Sequence, residues 1–574
     1  MSAKSRGTSP LKVVLCWHMH QPQYRDLLNG QYHLPWSYLH ATKDYVDMVA
    51  HLEAVPEARA VVNFAPVLLE QIDDCAQQVQ DFLQSGMPIS DPLLAALANP
   101  VLPNDREGRL TLAEICTKAN AKRLIDPYPA YRLLVDMVKW LRTHGDAIEY
   151  LSDAFLADLL VWYHLAWLGE TVKRNDVRAL RLLDKGRGYT LEDRRLLLEL
   201  IGDLLGGVIG RYRHLAEQGR VELSFTPYAH PIMPLLLDIN SAREAVPDMM
   251  LPGFRLYPGG EERVRWHIQR GIETFETYFG MRPQGCWPSE GSVSTGTLRV
   301  LADYGLGWTA SGETVLANSL RKVGADQLTA DKQWLYRPYT VGRDGVRCFF
   351  RDDGLSDAIG FKYLDWHADD AVANFVTNLE AIATATKGNQ DAVVSVILDG
   401  ENAWEYYPNN GYYFLSALYQ KLAAHPDIEL TTYSDALAKL KSVKSLPGLV
   451  AGSWVYGSFS TWIGDRDKNR GWEMLAEAKQ AFDKAVRMGR LGGEQLDRAM
   501  EQLAVCEGSD WCWWFGDYNP ALSVSDFERL YRQHLVNLYQ LIGETPPEYL
   551  AHSFTHGGGE PTSGGVMRQG QPAA

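Results

Sequence analysis

Cysteine is scarce and unpaired in this 574-residue chain. The seven residues, at positions 16, 75, 116, 286, 348, 506 and 512, are odd in number and form no C-x-x-C pair. That excludes a disulfide framework and a zinc ribbon, and it fits a reduced, intracellular protein. Positive charge is in deficit: 56 Lys and Arg against 71 Asp and Glu give a net charge of −15. Nucleic acid and anionic membranes call for clustered Lys and Arg, so neither is expected as a partner. No stretch approaches about 18 uninterrupted apolar residues, which argues against a membrane span. The N-terminal MSAKSRGTSPLK lacks the apolar run of a secretory signal, and a cytoplasmic location is expected. Nothing in the chain speaks to oligomeric state.

What the sequence does have is apolar mass and aromatics: 46% hydrophobic residues, 17 Trp and 28 Tyr. The length exceeds one ordinary domain but suits a large barrel with additions. Val393 to Tyr407, VVSVILDGENAWEYY, is the most informative stretch. Its β-branched run reads as a strand buried on both faces, and Asp399 and Glu401 stand at the exit, where barrel enzymes place their chemistry.

Other strand-like runs follow the same pattern. KVVLCW (12–17) leads into His18-Met19-His20-Gln21-Pro22, and period-2 alternation puts His18 and His20 on one side. Sugar hydrogen bonding or metal ligation would suit this pair, but no third ligand is indicated locally, so no metal and no cofactor are expected. AVVNF (60–64) is a second strand. RVELSF (220–225) is a third, carrying Glu222 and leading to His230 in a Pro-bounded loop. Cys286-Trp287-Pro288-Ser289-Glu290 sets a carboxylate on a strand-to-helix turn. Runs at 306–310, 345–350, 393–398 and 428–431 complete seven or eight βα units.

Between the second and third strands, about 80–218, apolar spacing at i, i+3 and i+4 reads as a helical insertion walling one side of a cleft. Thr190 and Asp193 suggest a helix start there. After residue 441 the pattern becomes helical again, with segments at 471–487, 494–506 and 525–542 and a capping box expected at Ser525 and Glu528. The loop EGSDWCWWFGDYNP (507–520) packs four aromatics into five positions, more than an ordinary surface carries. The expected division is a flexible 1–11, a barrel over 12–440, a helical domain over 441–550 and a disordered tail over 551–574.

Taken in order, His20-Gln21-Pro22, the Glu222 region, WPSEGSVS, VILDGENAWEYY, GSWVYGSFSTWIGD and EGSDWCWWFGD resemble the motifs of glycoside hydrolase family 57 across residues 12–545. The details are most similar to its amylopullulanase and α-amylase branch. The resemblance implies an α/β fold, an incomplete (β/α)7 barrel with a helical insertion and a C-terminal helical domain over the cleft. It implies Glu290 as nucleophile and Asp399 as general acid/base. It further implies sugar-binding roles for His18, His20, Glu222, Asp510 and Trp511. His230, Trp287, Glu401, Trp404 and Trp462 are expected beside them. The implied substrate is an α-glucan or maltooligosaccharide, cleaved with retention at α-1,4 bonds, with α-1,6 bonds as the wider reading. A 4-α-glucanotransferase or other transglycosylase shares the same intermediate. A non-catalytic glycan binder and a metal-dependent hydrolase using His18 and His20 are the readings from other classes.

Overall fold

The computed structural model describes residues 9–325, 331–342, 345–516 and 519–558. Its strands are β1 (Leu11–Met19), β2 (Ala60–Phe64), β3 (Val221–Phe225), β4 (Gly285–Cys286), β5 (Trp308–Ser311), β6 (Tyr339–Val341), β7 (Arg347–Phe350), β8 (Val393–Asp399), β9 (Ile428–Leu430) and β10 (Lys444–Leu446). They form one sheet in the order β10-β6-β7-β5-β4-β3-β2-β1-β8, with β9 paired to β1. Every pairing is parallel except β6 with β7.

The sheet curls until β7 meets β8 through a single parallel bridge, Arg351 to Ser395, and Asp352 N–H donates to the Ser395 carbonyl at 2.8 Å. Seven strands therefore ring an interior, closed at that point by one bridge. This is the incomplete (β/α)7 barrel implied by the motifs. β1 and β8 are its longest strands and pair over seven residues, Lys12 with Val393 through His18 with Asp399. Their largely apolar composition, β-branched in β8, suits burial on both faces, and β1 is buried throughout.

The barrel interior is filled by Val14, Cys16, Val61, Trp287, Trp308, Ala310, Phe349 and Ile397. Tyr433 and Ala436, from the helix Tyr433–Lys439, join this cluster and plug the end at which the strands begin. The opposite end, where the strands finish, stays open for a cleft.

The insertion is helical, running from the helix Pro66–Ser85 to the helix Leu191–Glu217, whose start carries the expected capping box between Thr190 and Asp193. The helices Arg466–Arg487, Glu494–Cys506 and Ala521–Leu541 cover the cleft from the C-terminal side. The capping box expected at Ser525 does not form. The last helix begins four residues earlier, behind Pro520, and Glu528 instead accepts from Arg532 and from Phe554 N–H. The tail also departs from expectation. Phe554 packs on Phe515, His556 N–H donates to Asp467, and Gly558 N–H donates to the Asn519 carbonyl, so residues 551–558 are folded onto the helices. The rest of the expected tail, 559–574, and residues 1–8 of the expected flexible N-terminus lie outside the described residues.

Candidate active site

A cavity of about 510 Å³ opens at the ends of the barrel strands, a size typical of small-molecule sites. Two carboxylates face each other across it. Glu290 follows β4 and Asp399 ends β8; in the strand ring these lie on opposite sides of the mouth. Glu290 sits in the left-handed region at φ 57°, ψ 26°, a conformation that costs a non-glycine residue about 1–2 kcal/mol. The loop carrying Gly452 and Trp454 holds it there. Trp454 N–H donates to the Glu290 carbonyl at 3.1 Å, and the indole Nε1–H donates to Glu290 Oε2 at 2.9 Å. A bridge between Val293 and Gly452 pins the loop to the same turn. Beneath the indole lies the Arg351 guanidinium, 5.2 Å from the ring and bonded to Asp353 and Asp357.

Asp399 accepts from Asn402 Nδ2 at 2.9 Å. Gly400 N–H donates to the His18 carbonyl, and a side chain at 400 would place its Cβ 2.1 Å from Met19 Sδ. Any larger residue there would have to displace the buried end of the Met19 side chain, and Asp399 and Glu401 on either side of it both reach the mouth. Glu401 is buried; its Oε1 lies 3.5 Å from Gln21 Nε2, and its Oε2 has no partner.

Burial pushes all three carboxyls up. Glu290 is raised to about 8, first by burial and then by the Asp399 charge, against the opposing Trp454 hydrogen bond. Asp399 is raised by burial and lowered in part by Asn402, His20 and Arg351. Glu401 is held well above the usual carboxylate range by burial, with Asp399 and Asp44 adding to it. Near neutral pH Glu290 therefore holds its proton for much of the time in the empty site, and the same burial moves Asp399 in the direction that general acid catalysis requires.

The histidines form one cluster. His18 Nδ1 lies 2.6 Å from Asn63 Oδ1, and its Nε2 lies 3.2 Å from His230 Nε2, so one of these two ring nitrogens carries the proton between them. His20 stacks on His230 with centroids 3.8 Å apart and bonds Asp510 Oδ1 through Nε2 at 2.8 Å. His230, like Glu290, is a non-glycine residue at positive φ, here 60°. A backbone bond from Ser509 N–H to the His230 carbonyl docks the Trp-rich segment onto this loop.

The expected residues therefore divide. Glu290, Asp399, His18, His20, Glu401 and Asp510 line the cavity, and His230 packs directly behind His20. Glu222 stands apart, near the start of β3 at the plugged end. There it accepts from Trp308 Nε1 at 2.6 Å and from the Ser434 N–H and hydroxyl at 2.9 and 2.6 Å. It anchors the plug and does not reach the cleft.

The four tryptophans singled out from sequence are also set back from the cavity. Trp287 fills the barrel core. Trp404 packs on Trp17, Tyr407 and Phe414 and donates to the Gly400 carbonyl, bracing the Asp399 loop from behind. Trp462 backs Trp513, and Trp511 donates to the Val505 carbonyl among core helices. The aromatic rings that do line the cavity include Trp454, Trp513, Trp514 and Phe527 on the C-terminal side and Trp36 and Trp167 on the other. Trp167, Lys118 and Asn120 come from the insertion, and Lys118 reaches across to Asp526 at 3.1 Å. Trp454, Trp513 and Trp514 stand in stretches whose aromatic density was visible in sequence. Nothing local distinguishes them from their buried neighbours.

The family model for glycosyl hydrolase family 57 matches residues 14–447. A 1,4-α-glucan branching enzyme of Thermococcus kodakarensis is 28% identical over 115 residues, a segment covering 20% of this chain and only 14% of that enzyme. Among solved structures, a family 57 branching enzyme from Thermococcus kodakaraensis superposes with a TM-score of 0.54 at 17% identity, covering 92% of this chain and 90% of that one. The α-amylase AmyC of Thermotoga maritima gives a TM-score of 0.55 at 14% identity, covering 94% and 96%. At those identities the superpositions speak for the fold. With three quarters of its length matched by the family model, the chain belongs to glycosyl hydrolase family 57.

Proposed function

We propose that this protein is a retaining α-glucan-active enzyme whose nucleophile is Glu290 and whose general acid/base is Asp399. The observation that carries this reading is the pair of half-buried carboxyls facing each other across one aromatic-walled cavity. Retaining glycosidases need such a pair on either side of the anomeric carbon. Glu290 attacks that carbon as the glycosidic C–O bond breaks, and Asp399 gives its proton to the leaving oxygen. Asp399, now ionised, then takes a proton from water or a sugar hydroxyl, whose oxygen attacks the anomeric carbon and releases Glu290. The reaction needs the retained proton on Asp399 and the charge on Glu290; the Trp454 Nε1–H favours that distribution by stabilising the Glu290 anion.

His18, His20 and Asp510 offer hydrogen bonds to sugar hydroxyls, and Glu401 offers its unpartnered Oε2. Trp454, Trp513 and Trp514 provide flat faces for pyranose rings. The substrate class follows the relatives, which are named as a 1,4-α-glucan branching enzyme and an α-amylase. Within this reading we place α-1,4 hydrolysis first, with α-1,6 cleavage as a possible addition. Transfer is the second reading. It is favoured by aromatic walls on both sides of the carboxylate pair, which would seat an acceptor sugar as well as a donor, and by the relative named as a branching enzyme.

Glu290→Gln and Asp399→Asn are each expected to lower turnover on α-glucan by several orders of magnitude with folding intact. Near-wild-type turnover in either variant would sink the assignment. Product profiling on starch, pullulan and maltooligosaccharides separates the modes: shorter products alone mean hydrolysis, longer ones mean 4-α transfer, and new α-1,6 links mean branching.

A further inference from the structure

His18, His20 and His230 are the only group of three or more metal-competent side chains, among the described residues, whose ligand atoms all lie within 4.8 Å of one another. We propose that this cluster is a transition-metal site that takes Zn²⁺ through three imidazole nitrogens and that zinc binding there competes with α-glucan.

Three observations carry the proposal. The first is spacing. Two imidazoles on a tetrahedral zinc at about 2.1 Å put their nitrogens about 3.4 Å apart and their ring centres about 5 Å apart. His18 Nε2 and His230 Nε2 are 3.2 Å apart with ring centroids at 5.2 Å, and the His18 and His20 rings are centred 5.6 Å apart. The three rings lie within 17° of parallel, so to meet a tetrahedral ion the His20 ring, stacked on His230 at 3.8 Å, must turn about its side chain and move away by about 1 Å. His20 has room to do so because it lines the cavity.

The second observation is the partner on the far nitrogen of each ring. Asn63 Oδ1 lies against His18 Nδ1, Ser509 Oγ lies 2.8 Å from His230 Nδ1, and Asp510 Oδ1 lies against His20 Nε2. Each partner has an oxygen that can accept a ring N–H; once the proton shared between His18 Nε2 and His230 Nε2 moves to His230 Nδ1, facing Ser509, the nitrogens His18 Nε2, His230 Nε2 and His20 Nδ1 present lone pairs. Metal-ligating histidines are oriented in this way by outer hydrogen bonds. The third observation is that His20 Nδ1 is buried with no hydrogen-bond partner.

Three imidazole nitrogens with a fourth position open to the cavity suit zinc, and the Asp510 carboxyl stands beside His20. A dication beside Asp399 would favour its ionised form and strip the proton the reaction needs, while His18 and His20 would be lost to the sugar.

Titration of the full chain with ZnCl₂ in a non-coordinating buffer tests this by calorimetry. One zinc per chain at micromolar affinity is expected, displaced by saturating maltooligosaccharide and reversed by chelator. His230→Gln should weaken binding at least about a hundredfold and Ser509→Ala about tenfold, since loss of an outer partner costs 10–100-fold. Co²⁺ loading of the unaltered chain should give the intense visible bands of a tetrahedral nitrogen site, and anomalous diffraction from a zinc-soaked crystal should place the ion among the three rings. No binding at 100-fold higher zinc, an ion located elsewhere, or equal affinity in a folded His230→Gln chain would each overturn the proposal. The competition arm rests on the glucan reading above. The binding, spectroscopic and diffraction arms do not, so zinc bound by a chain inert toward glucan would sink that reading and leave the metal site standing.

Discussion

Replacing Trp454 by Phe isolates one atom of the site. The change deletes the Nε1–H that Glu290 Oε2 accepts at 2.9 Å and keeps an aromatic ring over Arg351 and against Trp287. A hydrogen bond to a charged group contributes about 1.5–3 kcal/mol. Glu290 is the nucleophile in our account and must be ionised to attack. In the unaltered chain its pKa is raised to about 8 by burial and by Asp399, with the indole pulling it down. Removing the indole donor destabilises the anion, so the pKa rises further, by about one to two units at 1.36 kcal/mol each. The acid limb of the kcat/KM–pH profile should therefore move to higher pH in Trp454→Phe. At neutral pH kcat should fall about tenfold to a hundredfold. The smaller ring costs some packing, so Tm is measured alongside; a fall of a few degrees is expected, with full folding retained at the assay temperature. An acid limb that stays in place or moves down, in a folded variant, would refute the reasoning about Glu290.

Glu222→Gln should leave kcat and KM within about twofold while destabilising the fold by about 1–3 kcal/mol, because it weakens the bonds to Trp308 and Ser434 at the plugged end. Denaturant unfolding and steady-state kinetics check this together. Glu507, bonded to Arg263, His267 and Tyr257, joins the helical segments to the helix Gly260–Phe279. Its pKa is held down to about 2 by Arg263 and His267 acting against burial. Its contribution, about 3 kcal/mol by linkage, is present above the ordinary glutamate range near pH 4.5 and is lost as pH falls toward 2. Glu507→Gln should flatten the stability–pH curve over that window, read by thermal unfolding. Trp513→Ala and Trp514→Ala should raise KM for long glucans more than for short ones, each by about five- to thirtyfold for a lost stacking contact of about 1–2 kcal/mol.

Much of the fold was legible because parallel strands announce themselves. β1 and β8 are largely apolar runs buried on both faces, and each ends in the chemistry it presents, His18 and His20 for one, Asp399 for the other. The Thr190–Asp193 helix start was readable because it is purely local. The places where reading failed depend on distant partners. Ser525 and Glu528 have the spacing of a helix start, but Arg532 and Phe554 claim the carboxylate. Glu222 is a charge inside a strand, and which end of the barrel it faces is decided by Trp308 and Ser434, 86 and 212 residues away. Among the tryptophans, the sequence shows density but not direction. Trp454 faces Glu290 because the bridge from Gly452 to Val293 turns it there, whereas Trp462 is enclosed by the helices that follow it. The histidine cluster is the clearest case. Its third member, His230, sits 212 residues from His18, and only the curl of the sheet unites them.

The central claim, that Glu290 forms a covalent glycosyl ester which Asp399 resolves, is tested most directly by trapping. A fluorinated α-glucosyl fluoride whose deglycosylation is slow should label the chain once. Intact mass should rise by one sugar, and peptide mapping should place it on Glu290 within Trp287-Pro288-Ser289-Glu290, with accumulation increased in Asp399→Asn. A label on Asp399, Glu401 or Asp510, or turnover of α-glucan with inversion at the anomeric carbon, would contradict the account.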